Sequence, residues 1–139
     1  VQDPENMGSI FRSCAAFGVD QVVIGPGCVD PYARRVIRVS MGTSLKLSFY
    51  FDRNVESFLE SMRVADVASL ASTLAAPSDS LRHFHPPGRW LLVLGNEAHG
   101  LPDAVSKQCS CRLNIPMKLS VDSLNVGNAA SIFLYALCD

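Results

Sequence analysis

No stretch of this 139-residue chain approaches the roughly 18 consecutive apolar residues of a membrane-spanning helix, so none is predicted. No CxxC pair occurs among its five cysteines, Cys14, Cys28, Cys109, Cys111 and Cys138. Their odd number argues against a disulfide framework and for a reducing compartment. His83 and His85, or Cys109 and Cys111, have ligand chemistry but not structural-zinc spacing, so no metal is expected. The chain contains neither GxGxxG nor a P-loop, and Gly25-Pro26-Gly27 alone makes no dinucleotide fingerprint. Charge is scarce: 18% of residues carry it, and the net value of −1 gives no basic footprint for nucleic acid. A signal peptide is also missing. The chain opens on Val1, almost inside a motif, and reads as a piece of something longer whose upstream targeting is not visible.

Apolar residues, by contrast, make up 48% of the chain, enough for one domain with a real core. "DPENMGSIFRSCAAFG" spaces Met7, Ile10, Phe11, Cys14 and Phe17 as a helix does, with Gly18 at its C-terminal end. "QVVIG" and "LSFYF" read as strands. "DPYARRVIRVSMG" reads as a helix whose first turn holds Pro31. "NVESFLESMRVA" predicts an amphipathic helix and "DVASLA" a strand, followed by a loop over "PSDSLRHFHPPG". Five apolar residues, Trp90 to Leu94, predict a fully buried strand. A short helix from about Pro102, a strand "CRLNIP" and a last helix from about Ser123 complete the series. Strands alternating with helices imply an α/β domain with a largely parallel sheet. The last helix is apolar on nearly every face, which calls for burial all round or a covering partner chain.

Three polar clusters interrupt this background. Asn6, Gly8 and Arg12 lie in the opening helix. Asn96, Glu97 and His99 follow the Trp90–Leu94 run between Gly95 and Gly100, where α/β sheets place their ligands. Asp122 and Ser123 suit a helix N-cap, while Asn125 fits poorly one turn inside an apolar helix. Taken singly, each has a structural explanation: a helix start, a tight turn, a cap.

Together they resemble the three motifs of the SpoU (TrmH-type) RNA 2′-O-methyltransferases of the SPOUT superfamily. "DPENMGSIFRSCAAFG", "LVLGNEAHGLP", and "LNIPM" with "DSLNVGNAASIFLY" occur in the family's order, from about Asp3 to Tyr135. The resemblance implies an α/β fold of mostly parallel strands flanked by helices, with a C-terminal trefoil knot, a rare exception to unknotted chains. It implies a catalytic domain over residues 1–139, its first strand clipped to Val1-Gln2 and any N-terminal RNA-binding domain absent. It also implies S-adenosyl-L-methionine (AdoMet) as cofactor, held at Leu94, Gly95, Gly100, Ile115, Pro116, Met117, Ser123 and Leu124. Asn6, Arg12, Glu97, Ser123 and Asn125 are its implied catalytic residues. The implied partners are tRNA or rRNA and a second copy of the chain, without metal or membrane. An intracellular setting is expected, the cytoplasm ahead of an organelle.

In the family, activation of the ribose hydroxyl falls to the arginine matching Arg12. Arginine is effectively always protonated, so the conservative role is to hold a phosphate and stabilise developing alkoxide charge. The alternative from another class is a catalytically silent SPOUT domain that binds RNA or dimerises. The five intact polar residues favour the enzyme. Gly127-Asn128 departs from the small or β-branched residues of many relatives, and an asparagine on a buried helix requires a partner. "YARRVIR", with Arg34, Arg35 and Arg38, is the one locally basic segment and suits either phosphate contacts or a solvated helix face.

Overall fold

Asp3 opens the first helix by accepting the Glu5 N–H at 2.6 Å, and Pro4 occupies the first turn, where its missing N–H is harmless. The computed structural model describes residues 1–119 and 121–138. In chain order its elements are α1 (Pro4–Ala16), β1 (Gln21–Ile24), α2 (Arg34–Val39), a 3-10 turn (Thr43–Lys46) and β2 (Ser48–Phe51). Then follow α3 (Val55–Val64), β3 (Ala68–Ser72), β4 (Asp79–Ser80), a second 3-10 turn (Leu81–His83) and β5 (Trp90–Val93). The last are α4 (Asp103–Gln108), β6 (Cys111–Asn114) and α5 (Val126–Leu137). They divide into two compact units, Val1–Arg53 with the chain from Asn125 onward, and Asn54–Leu124.

In the first unit, α1 ends as its glycine predicts. Gly18 takes φ +77°, and Val19 N–H closes onto the Cys14 carbonyl at 2.9 Å. β1 and β2 pair in parallel from Gln21↔Ser48 to Ile24↔Phe51. The core gathers Met7, Ile10, Phe11 and Cys14 from α1, Val36 from α2, and Ala130, Phe133, Leu134 and Leu137 from α5. Phe11 stacks tilted on Phe49, ring centroids 4.9 Å apart. Helix α1 approaches α2 closely because residue 8 is glycine: a Cβ there would lie 2.6 Å from Val39 Cβ. The hydroxyls of Ser13 and Ser131, on α1 and α5, meet at 2.7 Å.

In the second unit, four parallel strands run in the order β4-β6-β3-β5. Ala71, from the buried middle of β3, packs with Leu59, Val105 and Cys109, and Leu91, Val93 and Leu101 close the edges. Asn54 caps α3 by accepting Ser57 N–H at 3.0 Å.

Four expectations are corrected. β5 is half-buried along its length, not fully buried. α2 begins at Arg34, because Pro31 lies in a turn where Asp30 accepts the Tyr32 N–H at 2.9 Å. The stretch read as loop holds β4 and the Leu81–His83 turn, since Ser80 pairs with Asn114 of β6. The last helix starts at Val126 and is not buried all round. Its Gly127–Ala130–Phe133–Leu134–Leu137 stripe is buried, while Ile132 and Tyr135 face solvent. Asn128 is exposed too, so it needs no buried partner.

Candidate active site

Two motif residues of the first unit, Asn6 and Asn125, meet at the start of α5. Asn125 is the N-cap of α5: its Oδ1 accepts Gly127 N–H at 2.9 Å and Asn128 N–H at 3.3 Å. The same amide donates from Nδ2 to Asn6 Oδ1 at 2.7 Å. One side chain thus caps α5 and ties it to α1. That geometry resolves the misfit seen in sequence, where Asp122 and Ser123 look like the cap and Asn125 looks internal. Gly127 keeps the approach open, since a Cβ there would sit 3.1 Å from both Asn125 Oδ1 and Ser9 Oγ.

Arg12, two turns along α1 from Glu5, is exposed. Among the described residues it forms no hydrogen bond or ion pair. Arg35, by contrast, is bound to Glu5. A full guanidinium charge with its fork of donors therefore stands in solvent on the helix that holds Asn6.

In the second unit, β5 runs into a tight loop. Asn96 and Gly100 exchange main-chain hydrogen bonds, each at 2.9 Å, and Gly100 adopts φ +67°. Asn96 Oδ1 also accepts from Ala98 N–H at 2.9 Å and His99 N–H at 3.2 Å, an Asx turn. The glycine at 95 has a steric cause within the chain, because a Cβ there would overlap the Gly100 carbonyl carbon and Leu101 nitrogen. Glu97 is carried outward at the loop tip, exposed. His99 is likewise exposed, its Nδ1 3.3 Å from Asn96 Oδ1, and stays a turn residue. Asn96 organises this loop, an asparagine two and three residues ahead of the turn amides it binds.

Leu94, Gly95, Ile115 and Met117 are half-buried, while Pro116, Ser123 and Leu124 are exposed. Gly95 and Gly100 are brought together by the loop; Ser123 is not a helix cap. Between residues 115 and 124, the main-chain hydrogen bond among the described residues is Val121 N–H to the Lys118 carbonyl, 3.3 Å. Leu119, Val121 and Leu124 expose apolar side chains along the same segment. No group of three or more potential ligands among the described residues could hold a metal ion.

The model of the SpoU rRNA methylase family matches residues 1–135. The chain belongs to that family. It is 37% identical over 140 residues to an uncharacterized tRNA/rRNA methyltransferase of Mycobacterium bovis, covering 97% of this chain and 48% of that protein. It is 30% identical to the 23S rRNA (guanosine(2553)-2′-O)-methyltransferase RlmP of Bacillus subtilis, covering 99% of this chain and 54% of the relative. The AdoMet-bound rRNA methyltransferase structure from Sinorhizobium meliloti superposes with a TM-score of 0.90 at 30% identity, over 98% of this chain and 52% of that one. The chain spans about half the length of the curated relatives it matches.

Proposed function

We propose that this SpoU-family chain is the domain that transfers a methyl group from AdoMet to a ribose 2′-hydroxyl of tRNA or rRNA. The observation that carries the reading is the Asn6–Asn125 hydrogen bond, which joins the first and third motifs; the same helix carries a solvent-facing Arg12 that is unpaired among the described residues. The AdoMet-bound relative and RlmP, each 30% identical, support cofactor and reaction class.

The residues fit the cofactor. The described residues of segment 115–124 offer main-chain donors and acceptors that are largely unspent on one another, between exposed Leu119, Val121 and Leu124. That is the mixture of apolar cover and backbone polarity a nucleoside with an amino-acid tail requires. When bound, AdoMet supplies an electrophilic methyl on sulfur, so the thioether departs neutral and needs no acid. In our reading, Leu94, Gly95, Gly100, Ile115, Pro116, Met117, Ser123 and Leu124 hold it.

Arg12 contacts a phosphate next to the target ribose and stabilises the negative charge that develops on the 2′-oxygen as it attacks the methyl carbon, the hydroxyl proton passing to solvent water. Asn6, locked by Asn125, presents a fixed group toward the ribose, because an amide hydrogen-bonded on one side has few rotamers left. Glu97 and Ser123 orient the reactants. The C-terminal trefoil knot, a homodimer using the exposed Ile132–Tyr135 edge of α5, and a cytoplasmic setting belong to the same proposal.

Calorimetric titration of AdoMet into the chain tests it, with Leu124→Arg as the blocked control after its fold is checked. Binding that disappears in the control, followed by methylation of an RNA pool at 2′-hydroxyls, is the expected result. A folded chain that binds no AdoMet overturns the enzyme reading in favour of a silent RNA-binding or dimerising module.

A further inference from the structure

The chain carries a net charge of −1, yet its cations are not spread evenly. Four of the 12 lysines and arginines (Arg34, Arg35, Arg38 and Lys46) lie between residues 32 and 46, where no Asp or Glu occurs. The fold sorts these four. Arg35 turns to Glu5 of α1 and is neutralised there. Arg34 and Arg38 are one helical turn apart and share a face of α2, about 180° around the helix from Val36, which is fully buried. Both arginines are exposed, as is Lys46 on the following 3-10 turn. Among the described residues none of the three has a hydrogen-bonded or ionic partner.

We infer that this face of α2, with the turn after it, is the contact surface for the RNA phosphodiester backbone, Arg34, Arg38 and Lys46 each binding a phosphate. The inference rests on the methyltransferase reading for its choice of RNA. Like charges one turn apart repel and weaken a helix unless a polyanion lies across them. A single free anion spans one of these side chains, whereas a nucleic-acid strand meets several in series. Position supports the assignment. Val39 of α2 packs directly on Gly8, between Asn6 and Arg12 on α1, so a strand held on α2 runs beside the helix that carries those motif residues. A lipid surface is a poorer match, because α2 has six residues and turns its apolar side inward.

The test is fluorescence anisotropy of a labelled single-stranded RNA against the chain, repeated over a range of salt. R34A/R38A is compared with R53A/R82A, which removes equal charge from exposed positions elsewhere. Each lost phosphate contact flattens the slope of log K against log salt by about 0.7 for a single strand, so the first variant is expected to flatten it by about 1.4. At 0.1 M salt that corresponds to roughly a 25-fold weaker complex, with AdoMet affinity and circular dichroism unchanged. R53A/R82A is expected to bind close to the unmodified chain. Wild-type binding by R34A/R38A, or equal losses in both variants, overturns the surface. So does a loss on phosphatidylserine vesicles without one on RNA. Failure of the methyltransferase reading shows separately, as absent AdoMet binding while the RNA slopes still differ.

Discussion

Asn125 Nδ2 donates to Asn6 Oδ1 across 2.7 Å, joining residues 119 positions apart, while Asn125 Oδ1 caps α5. One amide therefore has a structural and a positioning task, and substitutions separate them. Asn125→Ala removes the cap and the cross-helix bond, and is expected to cost about 2 kcal/mol in urea unfolding. Asn125→Asp keeps an acceptor at the helix N-terminus and loses only the donor to Asn6. Its stability is expected to fall by less than about 1 kcal/mol. Methyl transfer drops in both. Full activity in the aspartate variant would show that the Asn6 bond does not matter to the chemistry.

Gly8 is set by packing. The Cβ of Gly8→Ala would lie 2.6 Å from Val39 Cβ and 3.0 Å from the Val36 carbonyl oxygen. Overpacking of this kind costs about 1–3 kcal/mol. The double variant G8A/V39A is expected to recover part of that loss, and thermal unfolding of the two singles and the double measures the coupling. Additive losses would remove Val39 as the cause.

Arg12 stands in solvent with no partner among the described residues, so its removal leaves folding nearly untouched, within about 0.5 kcal/mol. Arg12→Lys keeps the charge and discards the planar fork. Turnover on RNA is expected to fall roughly 100-fold, the scale of losing one transition-state donor, with Tm unchanged. Near-normal turnover would reduce Arg12 to a simple charge.

Burial between α1 and its neighbours, reinforced by Cys138, pushes the Cys14 thiol up to about 11. The folded chain therefore holds this proton more tightly than the unfolded one. That contribution is complete below an ordinary thiol pKa near 9 and is lost as pH rises through about 11. That rise corresponds to about 3 kcal/mol. Urea midpoints measured from pH 8 to 11 are expected to decline more steeply for the wild-type chain than for Cys14→Ala. Parallel curves would remove Cys14 as the source. At pH 7.5 the thiol is expected to resist iodoacetamide in the folded chain.

Much of this architecture was legible in the residues themselves. Asp3-Pro4 and Gly18 mark both ends of α1, because cap chemistry is local. The short β-branched run QVVI and the aromatic run SFYF mark β1 and β2 in the same local way. The failures fall where a distant element decides. β4 exists because Ser80 meets Asn114, and Asn125, held by Asn6, caps α5, which begins at Val126. The polar motif residues Asn6, Arg12, Glu97 and Asn125, which we propose as site residues, are legible as candidates in the sequence. The role of Asn96 is not, since its amide serves a loop whose closure depends on Gly95 and Gly100 coming together.

By itself, then, the sequence determined the alternation of helices and strands, the parallel α/β class and the family, all properties of local pattern and motif order. Only the tertiary structure decided which face of each element is buried and which polar group each motif residue touches. It turned Arg35 onto Glu5 and left Arg34, Arg38 and Arg12 in water, although all four are the same residue type on exposed helix positions. The reason is physical: periodicity specifies direction around one helix, but partnership needs a second helix at a definite distance.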